Sequence, residues 1–455
     1  MSMMWIEKSG AARRSRHARG LSLIELMIAI ALGLLVVGAV LALFVKTSRT
    51  NNEMSKMNRQ IENGRFAIQV LQEDIVHAGF WGAYVPHFDD LTAYSAPLDA
   101  PTGMPAPCQA YDAATWNFAY ASNLIAIPLQ GYNGAPPGCA AVTSQYPDTD
   151  ALIVRYAQTC VAGVGGCEAD TPGKLYFQSS SCENETSATA QGATTNSITL
   201  EAGASTTDDF YTGMVIRILS GPGAGESRTI TGYEGTTKVA TVNSAWTSVP
   251  DNSSVYSFGL GYVLSTNGFV FTKRDCTASA DKRKFVSNLY YIRSYGAKPG
   301  DGVPTLVRSS FDLAAGELKQ QPADALIEGI EGFRVMYGVD RLSDTGVAVN
   351  YTQSVAWVDP LNRTSPANRG DGVPEEYVNA GALTCTGPAA CDAANVTVAK
   401  IYVLARSLEP TPGYTDSKTY QLGDQTLGPF NDSFKRHVFT TTVRLVNPSG
   451  RRETP

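Results

Sequence analysis

One stretch limits what this chain can become: from Leu26 to Val45 no side chain carries a charge. About 20 residues at a rise of roughly 1.5 Å each span roughly 30 Å, the thickness of a bilayer's hydrocarbon core. Basic residues crowd ahead of it (Arg13, Arg14, Arg16 and Arg19, with Lys8 further back), and one acid, Glu25, stands at its start. The charge order predicts a cytoplasmic N-terminus and places everything after Val45 on the far side of the membrane. An ordinary secretory signal is excluded, because the apolar core is too long and no small-residue cleavage site follows it. Burying a carboxylate near such a span costs up to about 3 kcal/mol, so Glu25 calls for a partner or a function.

The rest of the chain is built for an oxidising, loop-rich setting. Its 455 residues exceed one ordinary domain, and charged residues make up 17%, below the roughly 25% of soluble domains. Two folded units and an anchor are therefore expected, with strands prevailing over helices. A net charge of −6 argues against a nucleic-acid binder, which needs a basic face. Eight cysteines follow the span, and an even number beyond a membrane favours disulfides. Cys385 with Cys391 is the leading pair, and Cys160 with Cys167 and Cys108 with Cys139 are weaker candidates. A zinc site is disfavoured, because His17, His77, His87 and His437 do not accompany the cysteines at ligand spacing.

The segment Arg19-Gly20-Leu21-Ser22-Leu23-Ile24-Glu25-Leu26 resembles the class III signal of type IV pilins. The resemblance implies that a prepilin peptidase cuts on the cytoplasmic side after Gly20 and methylates Leu21, where the family usually has Phe. Glu25 becomes the fifth mature residue, and a staggered neighbour could set its ammonium beside that carboxylate, offsetting the desolvation of both. The competing reading is an acid that snorkels to the headgroups. The implied partners are the peptidase, the major pilin and other minor pilins, an inner-membrane assembly platform and a tip adhesin.

Beyond the span, Met54, Met57, Ile61, Gly64, Ile68, Leu71 and Ile75 recur at steps of three and four, a seam suited to a coiled coil or to packing on the protein's own sheet. Gly64 suits close approach of helix and sheet, and Gly79 and Gly82 end the helix. Glu62 to Ala67 and Ala78 to Gly82 resemble the minor-pilin family PilW. So does the order of three late segments: Ile327 to Asp340, Val398 to Ser407 and Arg436 to Asn447.

The expected organisation is a leader (1–20), a transmembrane and polymerisation helix (21–45), an amphipathic helix (46–80), a first part of the head (81–192), an inserted β-module (193–260) and a C-terminal β part (261–455). The insert shows five short strand candidates between about 197 and 258, and its Gly221–Gly225 run reads as a hairpin turn. A phosphate loop would need a lysine where Glu226 stands and a helix where the flanks are strand-like. From Tyr84 to about Pro147 the chain reads as loop with short elements, tied down by Cys108 and Cys139.

Catalytic signatures are absent: no Gly-x-Ser-x-Gly elbow, no His-Glu-x-x-His, no dinucleotide fingerprint. No cofactor or metal ligand set is assigned, and the Asp-bearing loop around Asp148 and Asp150 is not taken as a Ca²⁺ site. The expected fold class is α+β, a long pilin-type helix packed on an antiparallel sheet head with a small all-β insert. The expected function is that of a minor pilin in pilus assembly. A tip adhesin and a minor pseudopilin of type II secretion are the rival readings.

Overall fold

The computed structural model describes residues 22–91, 97, 99–181, 186–212, 214–224, 226–259, 261–269, 271–275 and 277–453. A single helix of 55 residues runs from Leu23 to His77. It ends where the glycines predict: Gly79 and Gly82 adopt φ of +73° and +66°, values that side-chain-bearing residues avoid.

Two compact units divide the chain, residues 1–56 and 57–455. In the first, the apolar side chains from Leu23 to Val45 are exposed, and it is the one helix among the described residues with the length and composition to cross a membrane. The second unit is a head of antiparallel strands. An eight-stranded sheet orders Leu129–Asn133, Asp150–Ala157, Arg283–Arg293, Thr305–Ala314 and Glu317–Gln320 side by side, with three shorter strands off this path. A four-stranded sheet orders Glu376–Asn379, Ile330–Val339, Val396–Arg406 and Arg436–Arg444.

The main core joins these two sheets to the last turns of the long helix. Ala67, Leu71, Ile75 and Ala78 pack with Leu152, Val154, Tyr290 and Ile292 of the larger sheet. They also meet Phe333, Val335, Tyr337, Ala399, Ile401, Val403 and Val443 of the smaller one. The alternate residues of Ile330–Val339 and Val396–Arg406 supply this face, as the two-residue period of a strand requires.

A seven-stranded sheet between Thr186 and Gly259 has a core of its own, in which Ile198, Ile216, Ile218, Ile230, Tyr256 and Phe258 are buried. All five strand candidates of this region are present, and two further strands, Thr186–Thr189 and Gly192–Thr194, join the same sheet, which therefore begins before residue 193. The strand Ser227–Glu234 pairs with Val215–Ser220 through its first half and with Val239–Val242 through its second, shifting register between Ile230 and Gly232. Such a shift bends the strand and turns one sheet into two faces around one core. The glycine-rich run from Gly221 is a tight turn between two of these strands, with Glu226 accepting the amides of Thr247 and Ser248 at 2.8 Å each.

The stretch from Tyr84 to Pro147 holds the short elements expected of it, chiefly a helix, Phe118–Ala126, and a core strand, Leu129–Asn133. The helix is apolar on nearly every face and so shows no period in sequence. Its N-terminus is marked by Asn117, whose side chain accepts the amide of Tyr120.

Candidate functional site

The functional part of this chain is its long helix: what its first turn presents, and what fixes its last turns into the head. Gly20 and Leu21 lie outside the described residues. Glu25 stands in the first turn, where its Oε2 accepts the amide of Ser22 at 3.0 Å and the Ser22 hydroxyl accepts the amide of Glu25 at 3.2 Å. This reciprocal pair is a capping box, which satisfies two of the four amides that a helix start leaves without partners. The carboxylate therefore has a local partner within its own chain. Its signature, Ser-x-x-Glu before an apolar run, stands in the sequence within the pilin motif itself.

At the far end of the helix the face that enters the head is Gln60, Gly64, Ala67, Leu71, Asp74 and Ile75. Gly64, Leu71 and Ile75 belong to the expected seam, and Ile61 and Ile68 lie half-buried at its flank. Met54 and Met57 are exposed. The difference comes from two polar residues, which a search for apolar periodicity passes over. Gln60 Nε2 donates to the carbonyls of Ala405 at 2.7 Å and Lys435 at 3.1 Å. Asp74 accepts from the hydroxyl of Tyr156 at 2.6 Å, from Asn288 Nδ2 at 2.8 Å and from the hydroxyl of Tyr290 at 2.9 Å. Burial, with the neighbouring Asp74 charge adding to it, pushes both tyrosine hydroxyls well above their ordinary range. They stay neutral and remain donors.

Gly64 allows the closest contact. A Cβ at this position would overlap the ring of Phe439, so only a glycine lets the helix backbone meet the strand Arg436–Arg444 here. The C-terminal helix, Val446–Arg452, holds the same end from the other side. Asn447 donates to the carbonyl of Ala78 at 3.0 Å, Arg451 to that of Gly79 at 3.3 Å, and Arg452 Nε bonds Asp89 at 2.8 Å.

The remaining sequence candidates separate into groups. Cys108 is disulfide-bonded to Cys139, Cys160 to Cys167 and Cys385 to Cys391, with Cα separations of 5.1, 6.0 and 3.8 Å. Cys182 and Cys276 lie outside the described residues. Asp148 and Asp150 do not form a cation site together. Asp148 is exposed, while Asp150 is buried, pairs with Arg334 Nη1 at 2.8 Å and accepts the amide of Val335 at 2.9 Å. The neighbouring carboxylates Asp89 and Asp90 also go separate ways, with Asp89 taken by Arg451 and Arg452. His437 is an exposed strand residue whose ring meets that of Phe439, 4.8 Å between centroids.

Residues 15–41 match the prokaryotic N-terminal methylation motif, and residues 289–447 match the family described as type IV pilus-assembly protein W, PilW. Together the two matches support a PilW-family pilin of the type IV pilus. The second match covers the four-stranded sheet with Gly64's partner strand, and the first covers the turn that holds Glu25. No curated protein and no solved structure matches the chain. A PilW-family pilin is a structural subunit: this one is a minor pilin involved in pilus assembly, anchored in the inner membrane through its N-terminal helix.

Proposed function

We propose that the chain is cut after Gly20, methylated at Leu21 and drawn into a priming complex of minor pilins that starts the fibre and is carried at its tip. The observation that carries this reading is the long helix itself. It begins at the processing motif and ends inside the core of the head, fixed there by Gln60, Gly64 and Asp74. In this reading the head faces the periplasm before assembly and the outside afterwards. Glu25 exchanges its bond to the Ser22 amide for the ammonium of a neighbouring subunit, and the two opposite charges offset each other's desolvation. The peptidase, the major pilin, other minor pilins and an inner-membrane platform are the partners. Mass spectrometry of sheared pili tests it: a peptide starting at methylated Leu21 is expected. Deleting the gene should cut surface pili while the major pilin stays in the membrane, and normal piliation would refute the priming role.

A second reading, that the head is adhesive, is favoured by one feature. The Thr186–Gly259 sheet has its own core and joins the head beside the paired strands Tyr176–Ser179 and Tyr262–Ser265, with Phe271 and Ala280 packed on it. A unit built in this way can vary without disturbing the pilin core.

A further inference from the structure

The end of the smaller sheet carries a group of acids that the assembly reading does not use. Strand Ile330–Val339 stops at Asp340, and the neighbouring strand starts at Glu376, directly after Glu375. The loop Gly370-Asp371-Gly372 lies against Asp340 so closely that a Cβ at Gly370 would overlap the Asp340 carboxylate. Gly372, with φ of +84°, donates its amide to Asp340 Oδ2 at 2.8 Å. One carboxylate oxygen from each of Asp340, Asp371 and Glu375 lies within 4.8 Å of the other two.

Acids cluster on many surfaces without holding anything, so the state of Asp340 is what matters here. Its side chain is wholly buried. Oδ2 is satisfied by Gly372 and by Arg452 Nη1 at 3.3 Å, but Oδ1 has no hydrogen-bond partner among the described residues. A buried carboxylate oxygen left in this way costs several kcal/mol unless something positive meets it. The carboxyl of Asp344 stands beside that of Asp371 and adds a fourth acid to the group. Nearby cations are committed elsewhere. Arg341 reaches Glu376 and Asp392 at 2.8 and 2.7 Å, and Arg369 donates to the carbonyls of Asn350, Asn368 and Gln353. Arg452 divides itself between Asp340 and Asp89.

We propose that Asp340, Asp371 and Glu375 form a binding site for a hard divalent cation, Ca²⁺, with Asp344 at its rim. The donor set is all oxygen, which excludes the soft metals that select Cys or His. Oxygens around one Ca²⁺ at roughly 2.4 Å can stand up to roughly 4.8 Å apart, so the spread of the three fits a shared ion. Ca²⁺ suits this site better than Mg²⁺, since it accepts irregular loop geometry and several carboxylates at once. The ion would fix the loop to the ends of two core strands and, through Asp340 and Arg452, to the C-terminal helix.

The test uses the full-length chain in detergent micelles, stripped with a chelator and titrated calorimetrically with CaCl₂. One saturable site is expected, with a dissociation constant on the order of 10⁻⁴ M, as in other extracellular modules, and a higher melting temperature when Ca²⁺ is present. Asp371→Asn and Glu375→Gln should each weaken binding at least tenfold while melting as the parent does in chelator. Asp371→Asn keeps a carbonyl oxygen for the amide of Val373, now bound at 2.8 Å, and Glu375→Gln keeps one for the amide of Arg341, now bound at 2.7 Å, giving up only the longer bond from the Leu342 amide at 3.3 Å. Asp251→Asn, at an exposed turn of the inserted sheet, should bind as the parent does. The proposal is overturned if millimolar Ca²⁺ gives no saturable heat, or if both variants bind with parental affinity. It is equally overturned if Mg²⁺ at the same concentration competes Ca²⁺ away completely.

Discussion

Gly64 and Phe439 occupy one space between helix and sheet: the ring lies where a side chain on residue 64 would be. Helix propensity favours replacing this glycine by alanine by about 1 kcal/mol, whereas forcing a group into a filled core costs about 1–3 kcal/mol. Gly64→Ala should therefore lower head stability by about 1 kcal/mol, and Gly64→Leu by about 3 kcal/mol, in thermal unfolding followed by circular dichroism. Phe439→Ala on the Gly64→Ala background should recover most of the loss, because the half-buried ring is the obstacle. Simple addition of the two single losses would show that the contact is not shared.

Asp74 serves three donors at once, from Tyr156, Asn288 and Tyr290. Asp74→Ala removes their only common acceptor and should cost about 3 kcal/mol or more, since hydrogen bonds to a charged group contribute about 1.5–3 kcal/mol each. Asp74→Asn keeps one carbonyl oxygen and should lose about half as much. Leu71→Ala, which opens a cavity in the same seam, provides a comparison at about 3 kcal/mol. If Asp74→Ala unfolds like the parent, the polar contacts do not fix the helix.

These two residues also show how much of the fold the sequence disclosed. The apolar span, the glycine stop at Gly79, the late strands and the presence of Gly64 in the seam are all written in residue type and period. Asp74 and Gln60 are not, because a buried polar side chain looks like a surface one until its partners, some 80 to 375 positions away, are known. The same reason hides Asp340, whose neighbour Asp371 comes from a distant loop and whose partner Arg452 comes from the C-terminal helix. The helix Phe118–Ala126 stayed hidden for another cause: it is short and mostly apolar, with only Ser122 and Asn123 to mark its polar side. The capping box at Ser22 was legible and was overshadowed by the pilin motif that contains it.

Arg334 sits between two acids that respond to pH in opposite ways. The hydrogen bond from Arg334 holds Asp424 down at about 2, whereas burial holds Asp150 up at about 6 despite the same arginine. For Asp424, folding favours the charged form. Its stabilisation is complete above the unfolded value of about 3.9 and is lost as pH falls toward about 2. For Asp150, the folded state keeps a proton that the unfolded chain has released, so stability falls as pH rises from about 4 through about 6. Asp150→Asn should remove that second slope. Relative to the parent, the variant should gain stability between pH 4 and 7 and leave the acid limb unchanged. Parallel melting curves across that window would rule out the assignment.

Glu25 and Ser22 can be separated by mutation. Ser22→Ala removes one half of the capping box and should cost the helix start about 1 kcal/mol, with membrane insertion and entry into the fibre preserved. Glu25→Ala should also leave insertion intact but sharply reduce incorporation, because the neighbour's ammonium then has no counter-charge. Immunoblots of membrane and sheared-pilus fractions read both. Equal incorporation of the two variants would show that Glu25 acts only as a cap.

The paired strands beside the inserted sheet make its removal a clean experiment. Ser179 pairs with Tyr262, and the amide of Ser180 donates to the carbonyl of Gly261 at 3.0 Å, so the chain leaves and returns across a single antiparallel step. Replacing residues 181–260 by Asn-Gly should close the two strands with a tight hairpin, for which that dipeptide is suited. The head should remain folded, with a loss of about 2 kcal/mol from Phe271, which is buried in the inserted sheet's core and would lose its cover. Because the long helix and its seam are untouched, pilus number should be unchanged. Surface attachment is then the deciding measurement. Attachment lost with normal piliation assigns binding to the inserted sheet, and attachment retained leaves the sheet as an elaboration of a priming subunit.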